Sequence, residues 1–342
     1  MSASGQGPRN LITDVAGLRV GQAEDEAART GVTVILAGDR AVCACDVRGG
    51  APGTRETDAL EPENLVDAAD AVVLAGGSVY GLAAGDGVTA VLGAAGSGYR
   101  LATTAGVPPS PIVPGAILYD LANGGDKGWG EAPPYRDLAA AAARSASDRF
   151  ALGTAGAGYG AMAGRLKGGL GSASVVSADG FTVGAIVAVN SYGSVVAPGG
   201  RTFWSAPYEL DGEFGALGSA GLVAAPDDWG LAKGVASAAG RTNTTIACVA
   251  VDAALTPSEC KRLAIMAQDG LARAIRPAHA PFDGDVVFAL ATGRREIEAP
   301  RLLTVARLGA LAADTLARAI ARGVFEATAW AGTSVTCWRD LR

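Results

Sequence analysis

Histidine is almost missing from this chain, whose 342 residues include one, His279. A metal site built from several histidines is therefore impossible, and a Ser-His-Asp triad would have to use this one residue. His279 lies in the stretch IRPAHAPFDGD, just beyond a helix pattern that ends at a proline. This position favours a loop histidine with satisfied hydrogen bonds over a catalytic one.

Runs of positive charge and long apolar runs are also missing. The chain has 28 Lys and Arg against 34 Asp and Glu, a net charge of −6, and no basic stretch, which argues against binding to nucleic acid. No run of about 18 uninterrupted apolar residues occurs, so no membrane span is expected. The first twenty residues lack a cationic segment followed by an apolar one, so we expect no signal peptide and a cytoplasmic protein.

Cysteine is scarce and odd in number: Cys43, Cys45, Cys248, Cys260 and Cys337. An odd count in a long chain without a signal peptide predicts reduced thiols. The first two alternate in the strand-like run RAVCACDV and have no further cysteine or histidine nearby. They therefore predict core packing, not a zinc site.

Apolar residues make up 49% of the chain, much of it alanine, and 49 glycines are spread among the apolar runs. This composition predicts closely packed layers with many turns. GVTVILAGDRAVCACDVRGG predicts two strands joined by a Gly-Asp turn. DAVVLAGGSVYGLAAGDGVTAVLGAAG predicts a strand, a turn at Gly76-Gly77-Ser78 and a helix. Such a turn either offers N–H groups to an anion or carbonyl oxygen, or simply allows close packing.

The second half predicts further strands and helices. ASVVSADGFTVGAIVAVNSYGS is typical of a hairpin that ends at Asn190, and residues 200–243 predict a long functional or mobile loop. A strand at 245–251 precedes a capping box and a helix that ends before Pro277. GDVVFALATG predicts a strand, RLLTVARLGALAADTLARAIARGVF a helix, and residues 333–338 a final strand. Together they favour two stacked sheets with helices on both outer faces.

The polar run Thr242-Asn243-Thr244-Thr245 at the mouth of a buried strand has two interpretations. Threonine favours strands and asparagine favours the turn before one. Alternatively, the chain breaks between Asn243 and Thr244, and the hydroxyl of Thr244 becomes a nucleophile. Its new α-amine, with an ordinary pKa of about 7.7–8.0, is then a base that requires no histidine. The pattern by itself favours the first interpretation.

Several long stretches carry a family resemblance. They are GRTNTTIACVAVDAALTPSECKRLAIMAQDGLARAIRP, DGDVVFALATG, LITDVAGLRVGQA, DVRGGAPGTRETD and LAGGSVYGLAAGDGV. Over nearly the whole chain they resemble the DmpA-type L-aminopeptidase/D-esterase family, closest in site residues to its nylon-oligomer hydrolase branch. The resemblance implies an α+β, four-layer αββα sandwich of the DmpA/ornithine-acetyltransferase type. It further implies a single domain over residues 1–342, self-cleaved into an α chain, 1–243, and a β chain, 244–342.

The resemblance also implies roles for individual residues. Thr244, after Asn243, matches the nucleophile and autocleavage position; the aminopeptidase branch commonly has serine there. Asn190 matches an asparagine whose amide donates to an oxyanion, a role that suits a neutral N–H donor. From the residues alone, Asn190 is a turn asparagine.

Three charged residues complete the catalytic set that the resemblance implies. Lys167, in AGRLKGG, matches an active-site lysine after a small length adjustment; the alternative is a solvated surface lysine. Asp283 and Asp285 match paired acids that orient the nucleophile or receive a substrate ammonium group. Two residues apart in a strand, both carboxylates would lie on one face; the alternative is a polar turn.

Tyr159, Gly77, Ser78 and Tyr80 are further candidates for the substrate pocket. A tyrosine hydroxyl there would add a donor to an oxyanion site, whereas a packed core tyrosine is an equal alternative. The resemblance implies no metal or organic cofactor and a homo-oligomer of αβ units, with a tetramer as the expected size.

The predicted function is hydrolysis of short peptides or linear oligoamides, of the aminopeptidase or 6-aminohexanoate-oligomer endohydrolase type. The Asp283/Asp285 pair favours the oligoamide type. Two alternatives remain: an acyltransferase of the ornithine-acetyltransferase type, which passes the acyl group to an amine, and an uncleaved, non-catalytic binding protein.

Overall fold

The computed structural model describes residues 4–102, 104–220, 222–234 and 243–342. In these ranges the strands are β1 Gly5–Gln6, β2 Leu18–Asp25, β3 Thr30–Val47, β4 Thr54–Arg55, β5 Ala68–Ala75, β6 Gly115–Ile117, β7 Met162–Ala163, β8 Leu166–Lys167, β9 Gly169–Val176, β10 Thr182–Asn190, β11 Thr244–Ala253 and β12 Val286–Arg295. The α-helices are α1 Ala84–Ala94, α2 Tyr135–Arg144, α3 Pro257–Ala267, α4 Asp269–Ala274 and α5 Arg301–Phe325.

The strands and helices form four layers. The ten-stranded hydrogen-bonded sheet is continuous through β3 and folds into two sheet layers. The first contains β2, the first part of β3, β5, β6 and β4; the second contains β1, β9, β10, β11, β12 and the second part of β3. Apolar side chains from both sheets, such as Ile35 and Ile186, pack together between them. The outer face of the first sheet packs against α1 and α2, and that of the second against α3, α4 and α5. The predicted αββα sandwich is confirmed.

The long strand β3 joins the two sheets. The sequence predicted two strands and a turn here, which is wrong: the chain continues as one strand through 37–40, and its pairing with β5 shifts register between Leu36 and Ala41. The first part of β3 pairs with β2, and Val42–Val47 pairs with β12 of the other sheet. Because the two halves have partners in different layers, the Gly-Asp pair bends the strand without reversing it.

The predicted hairpin forms from β9 and β10 and ends at Asn190. β11 pairs antiparallel with β10, so the first residue of β11, Thr244, lies directly opposite Asn190. On its other side β11 runs parallel to β12, which begins at Val286. The start of β11 therefore lies at one edge of the sheet between the end of β10 and the residues that precede β12.

The predicted capping box of α3 is present. The Thr256 hydroxyl accepts a hydrogen bond from the Glu259 N–H, and the Glu259 carboxylate accepts one from the Thr256 N–H. The helix is shorter than predicted, because it is interrupted at Gln268 before α4 begins. The side chain of Gln268 turns inward and donates to the carbonyl oxygen of Asp46 at 2.8 Å.

The last predicted strand, 333–338, is wrong. Its alternating residues lead into a 3₁₀ turn, Trp338–Asp340, because the Trp338 ring stacks on Phe203 with ring centroids 5.3 Å apart. All five cysteines are free, as predicted, and all five are buried. Cys43 and Cys45 lie in the core between the sheets, which confirms their predicted packing role. Of the helices in the described ranges, even the longest, α5, does not combine the length and apolar character that a membrane span requires.

Candidate active site

Thr244 and Asn190 meet at one edge of the second sheet. They are the last pair in the register of β10 with β11, so the sheet itself fixes the distance between their main chains. Thr244 is 4% exposed and Asn190 2%. The Asn190 side chain is itself held: its Oδ1 accepts from the Met162 N–H at 2.9 Å, and its Nδ2 donates to the Tyr119 carbonyl oxygen at 3.1 Å.

The peptide bond between Asn243 and Thr244 is held by its neighbours. The hydroxyl of Thr244 donates a hydrogen bond to the carbonyl oxygen of Asn243, so the nucleophile predicted from the sequence contacts the carbonyl group that precedes it. The main-chain N–H of Gly284 donates to the same oxygen at 3.2 Å. Asn243 also pairs with Asp283 in a parallel bridge.

Asp285 holds the chain on the other side of this bond. Its Oδ1 accepts from the Thr245 N–H at 2.8 Å. Its Oδ2 accepts from the His279 N–H at 3.0 Å and lies 2.9 Å from Nδ1 of the same residue. His279 is thus a loop histidine with a hydrogen-bonded ring, as the sequence predicted, and its partner is one of the candidate acids.

Asp283 differs from Asp285 in its surroundings. It is 2% exposed, and its Oδ1 has no hydrogen-bond partner among the described residues. Burial, and then the nearby Asp285 charge, raise the pKa of Asp283 to about 7, against an opposing effect of Lys233. A carboxyl group that changes charge near neutral pH beside a nucleophile is a common feature of catalytic sites.

Lys167 lies in a cage of main-chain carbonyl groups. Its Nζ donates to the oxygens of Gly158, Ala161 and Gly168 at 3.3, 3.1 and 2.7 Å, and it lies 4.9 Å from the centroid of the Trp330 ring. Burial lowers its pKa to about 7. The solvated-surface alternative is wrong, since the side chain is fully buried. Its link to the site is indirect: Lys167 pairs with Met162, which donates to Asn190.

Lys233 is a site residue that the sequence did not indicate. Its Nζ lies 3.4 Å from the carbonyl oxygen of Asn190, and its main-chain N–H donates to the Tyr192 carbonyl at 2.9 Å. Burial lowers its pKa to about 7, and the charge of Asp283 opposes that change. The only signal available was one lysine in the weakly periodic stretch 200–243, part of which, 221 and 235–242, lies outside the described residues.

A cavity of about 210 Å³ opens beside Asn190 and Lys233. Tyr119, Asp120 and Asn123 also line it. Asp120 is buried and accepts from the Thr30 hydroxyl at 2.6 Å and the Gly77 N–H at 2.7 Å, and burial raises its pKa to about 6. Because Asn190 also pairs with Thr244, the cavity adjoins the residue that lies opposite the Asn243–Thr244 bond.

None of the four pocket candidates is among the residues that line this cavity. Gly77 has a left-handed backbone, φ 84°, and its N–H is used by Asp120. Ser78 follows it, and Tyr80 is 47% exposed, with its ring edge against Trp129. The Tyr159 carbonyl accepts from the Trp330 indole at 2.8 Å. In the described residues the structure thus brings together Thr244, Asn190, Asp283 and Asp285, but not these four.

Comparison with known proteins identifies the family. The model of peptidase family S58 matches residues 10–337, so the chain belongs to this family. An uncharacterized aminopeptidase of Mycobacterium tuberculosis is 46% identical over 354 residues, covering 97% of this chain and 98% of the relative. A 6-aminohexanoate-oligomer endohydrolase of Agromyces sp. is 30% identical over 304 residues, covering 86% and 78%. The protein is an enzyme that hydrolyses amide bonds, and the predicted family is confirmed.

Solved structures confirm the fold. A β-aminopeptidase of Burkholderia sp. superposes with a TM-score of 0.70 at 23% identity, covering 96% of this chain and 89% of that one. The L-aminopeptidase D-Ala-esterase/amidase of Ochrobactrum anthropi, described as a variant of the Ntn-hydrolase fold, gives 0.68 at 21% identity, covering 98% and 91%.

Proposed function

We propose that the chain cuts itself between Asn243 and Thr244 and that the mature enzyme hydrolyses short amides through an ester on Thr244. The observation that carries the proposal is the position of the Thr244 hydroxyl. It contacts the carbonyl group of Asn243 at a strand end opposite Asn190 and beside two buried acids. A structural threonine at a strand start does not require these neighbours.

In the self-cleavage step, the Thr244 Oγ adds to the Asn243 carbonyl carbon. The C–N bond to Thr244 breaks as its nitrogen takes up the hydroxyl proton, and an ester replaces the amide. Water then hydrolyses the ester, which leaves a carboxylate on Asn243 and a free hydroxyl and α-amine on Thr244. Asp285 supports this step by holding the Thr245 N–H, which limits rotation on the downstream side of the bond.

In turnover, the same hydroxyl attacks the substrate carbonyl while the α-amine accepts its proton and passes it to the leaving amine. Asn190 is the proposed side-chain donor to the oxyanion, because its Nδ2 lies on the residue directly opposite Thr244. Water then releases the acyl group. Asp283 is the proposed partner of the new Thr244 ammonium or of a substrate amine, since it is the buried carboxyl group with an unpartnered oxygen at this site.

The proposed substrates are short peptides or linear oligoamides with a free amino group. The relatives named above carry both activities in their names, and the Asp283/Asp285 pair with a small cavity suits a compact, positively charged substrate end. Lys167 has an indirect positioning role, because it pairs with Met162, whose N–H donates to the Asn190 side chain. A homo-oligomer of αβ units, with a tetramer as the expected size, and a cytoplasmic location remain part of the proposal.

The first test is the intact mass of the denatured protein beside Thr244→Ala. We expect wild type to give two fragments that meet at Asn243/Thr244, and the variant to give one uncut chain. The processed wild type is then screened against dipeptide amides and 6-aminohexanoate dimers. An uncut wild-type chain, or cutting that survives Thr244→Ala, would contradict the proposal.

A further inference from the structure

The carbonyl oxygen of Asn243 already has a main-chain donor in the uncut chain. The Gly284 N–H points at it with an N···O distance of 3.2 Å, while the Thr244 hydroxyl contacts the same oxygen. In an addition step, negative charge develops on this oxygen. A fixed N–H aimed at that position lowers the barrier, because it needs no rearrangement when the charge appears.

The segment that carries this donor is itself anchored. The Ala51 N–H donates to the Asp283 carbonyl oxygen at 2.8 Å, and the Arg48 N–H donates to the Asp285 carbonyl oxygen at 3.0 Å. Residues 283–285 therefore form hydrogen bonds on both sides of the Asn243–Thr244 bond. Gly284 contacts the carbonyl upstream, and Asp285 holds the Thr245 N–H downstream.

Glycine is also required at 284 for space. A Cβ at this position would lie 2.7 Å from the Thr244 hydroxyl oxygen and 3.0 Å from the Ala51 carbonyl oxygen. The first separation is shorter than real Cβ atoms show and the second is tight, so a side chain at 284 would move the hydroxyl away from the Asn243 carbonyl. The Thr244 hydroxyl and the Gly284 N–H thus both contact the Asn243 carbonyl oxygen, and the lack of a side chain at 284 leaves room for the hydroxyl.

Asn190 is placed differently. Its Nδ2 donates to the Tyr119 carbonyl at 3.1 Å, on the side of the cavity. The two residues have different surroundings: the Gly284 N–H donates to the chain's own Asn243 carbonyl, whereas Asn190 lines the cavity in which a substrate would lie.

We infer that the main-chain N–H of Gly284 is the oxyanion donor of self-cleavage, distinct from the Asn190 donor of turnover. The inference rests on the proposed function and names the group that assists its first step. As the Thr244 Oγ–C bond forms, the Asn243 oxygen becomes negative and accepts the Gly284 hydrogen bond more strongly. As the C–N bond breaks, the carbonyl is restored as an ester and the hydroxyl proton leaves on the Thr244 nitrogen.

The test compares Gly284→Pro, which removes the N–H, with Gly284→Ala, which keeps it but adds the methyl group. Each full-length chain is made by cell-free translation, and conversion to fragments is followed by mass over time. We expect Gly284→Pro to slow cutting by about 10²–10³-fold, the usual effect of losing one oxyanion donor. Gly284→Ala should slow it by about tenfold or more through displacement of the hydroxyl. Gly200→Ala, at a glycine with open space around it, is the matched control and should cut at the wild-type rate.

Hydroxylamine identifies the step that is affected. Hydroxylamine cleaves an ester in place of water. It therefore restores the cutting rate of a chain that forms the ester on Thr244 but hydrolyses it slowly. We expect no rescue of Gly284→Pro, because the donor acts before the ester exists. Rescue to the wild-type rate, or cutting of folded Gly284→Pro within about threefold of wild type, would overturn the inference and leave the proposed function intact.

Folding is checked by melting each variant in the Thr244→Ala background, in which every chain stays uncut. If Gly284→Pro does not fold, glycolic acid placed at position 284 during cell-free translation decides, because its ester oxygen removes the N–H without adding a side chain: a wild-type cutting rate overturns the inference, and slow cutting in a folded chain supports it. A wild-type chain that never cuts removes the proposed function itself, which is a different result from any of these.

Discussion

Lys167 and Lys233 are two lysines whose pKa is lowered to about 7 by burial, but their surroundings differ. Lys167 is surrounded by three carbonyl oxygens and the Trp330 ring. Lys233 lies near the carbonyl of Asn190 and interacts electrostatically with Asp283. The first arrangement satisfies a buried cation with neutral groups and holds a turn together. In the second, Lys233 interacts with Asp283 beside the bond that we propose is cut. The two lysines therefore have similar pKa shifts but different roles.

The largest expected effect comes from Lys167→Met. Its removal leaves three buried carbonyl oxygens without this donor, and we expect the free energy of unfolding to fall by about 3 kcal/mol. Denaturant unfolding measures it. Lys261→Met is the control, since Lys261 forms a partly exposed ion pair with Glu61 at 2.8 Å and should lose less than about 1 kcal/mol. Normal stability of Lys167→Met with lost activity would instead make Lys167 a catalytic group.

The same variant has a pH signature. The folded-state pKa of Lys167, about 7, lies below its ordinary value of 10.5, so the unfolded chain binds more protons between these pH values. Stability of the wild type should therefore rise as pH increases from about 7 to 10.5, and Lys167→Met should lack this part of the rise. Unfolding curves at pH 7 and pH 9.5 compare the two chains. An equal change in the free energy of unfolding between the two pH values in both chains would contradict the interpretation of Lys167 as a buried cation.

An intermediate effect is expected from Lys233→Met. Lys233 opposes the rise in the pKa of Asp283, so its loss should raise that pKa further above 7. If Asp283 acts as a carboxylate, the acidic limb of the kcat/KM profile should move up by about one pH unit or more, and activity should recover at pH 9. Lys233→Arg, which keeps the charge, is the control. If the acidic limb of the kcat/KM profile does not move in Lys233→Met, or moves equally in Lys167→Met, the two lysines do not differ in their effect on Asp283.

The smallest effect is expected from His279→Gln. The main-chain N–H of residue 279 still donates to Asp285, so only the ring contact at 2.9 Å is lost. We expect cutting and turnover to fall by less than about tenfold, with an unchanged pH limb. Single-turnover cutting rates measure this. A shift of the limb as large as that in Lys233→Met would mean that any nearby charge has the same effect on Asp283.

Local patterns in the sequence predicted most of the fold. The alternation in β9 and β10, the capping box at Thr256 and the period of α5 each depend on neighbours within a few residues. The two errors in strand prediction arise from tertiary context. β3 continues through Gly38 because its halves pair in different sheets, and residues 333–338 form no strand because Trp338 packs on Phe203.

The candidate site was predictable where it coincides with strand ends. Asn190 closes one strand and Thr244 opens the next antiparallel neighbour, so their meeting follows from pairing alone. Lys233 was not predictable, because nothing local distinguishes it and its position depends on a loop crossing the site. Gly284 was passed over between two aspartates, although a residue without a side chain is what this crowded position requires.

The central position of β11 determines the result of a cut at its first residue. β11 lies between β10, which belongs to residues 1–243, and β12, which in turn pairs with β3 of those same residues. The two strands of the second piece would therefore lie side by side between strands of the first piece, which flank them on both sides. Cutting changes the covalent connectivity but leaves the hydrogen-bonded ladder unbroken, so the pieces cannot separate unless the sheet is dismantled. The cut protein would therefore remain a single folded unit made of two chains.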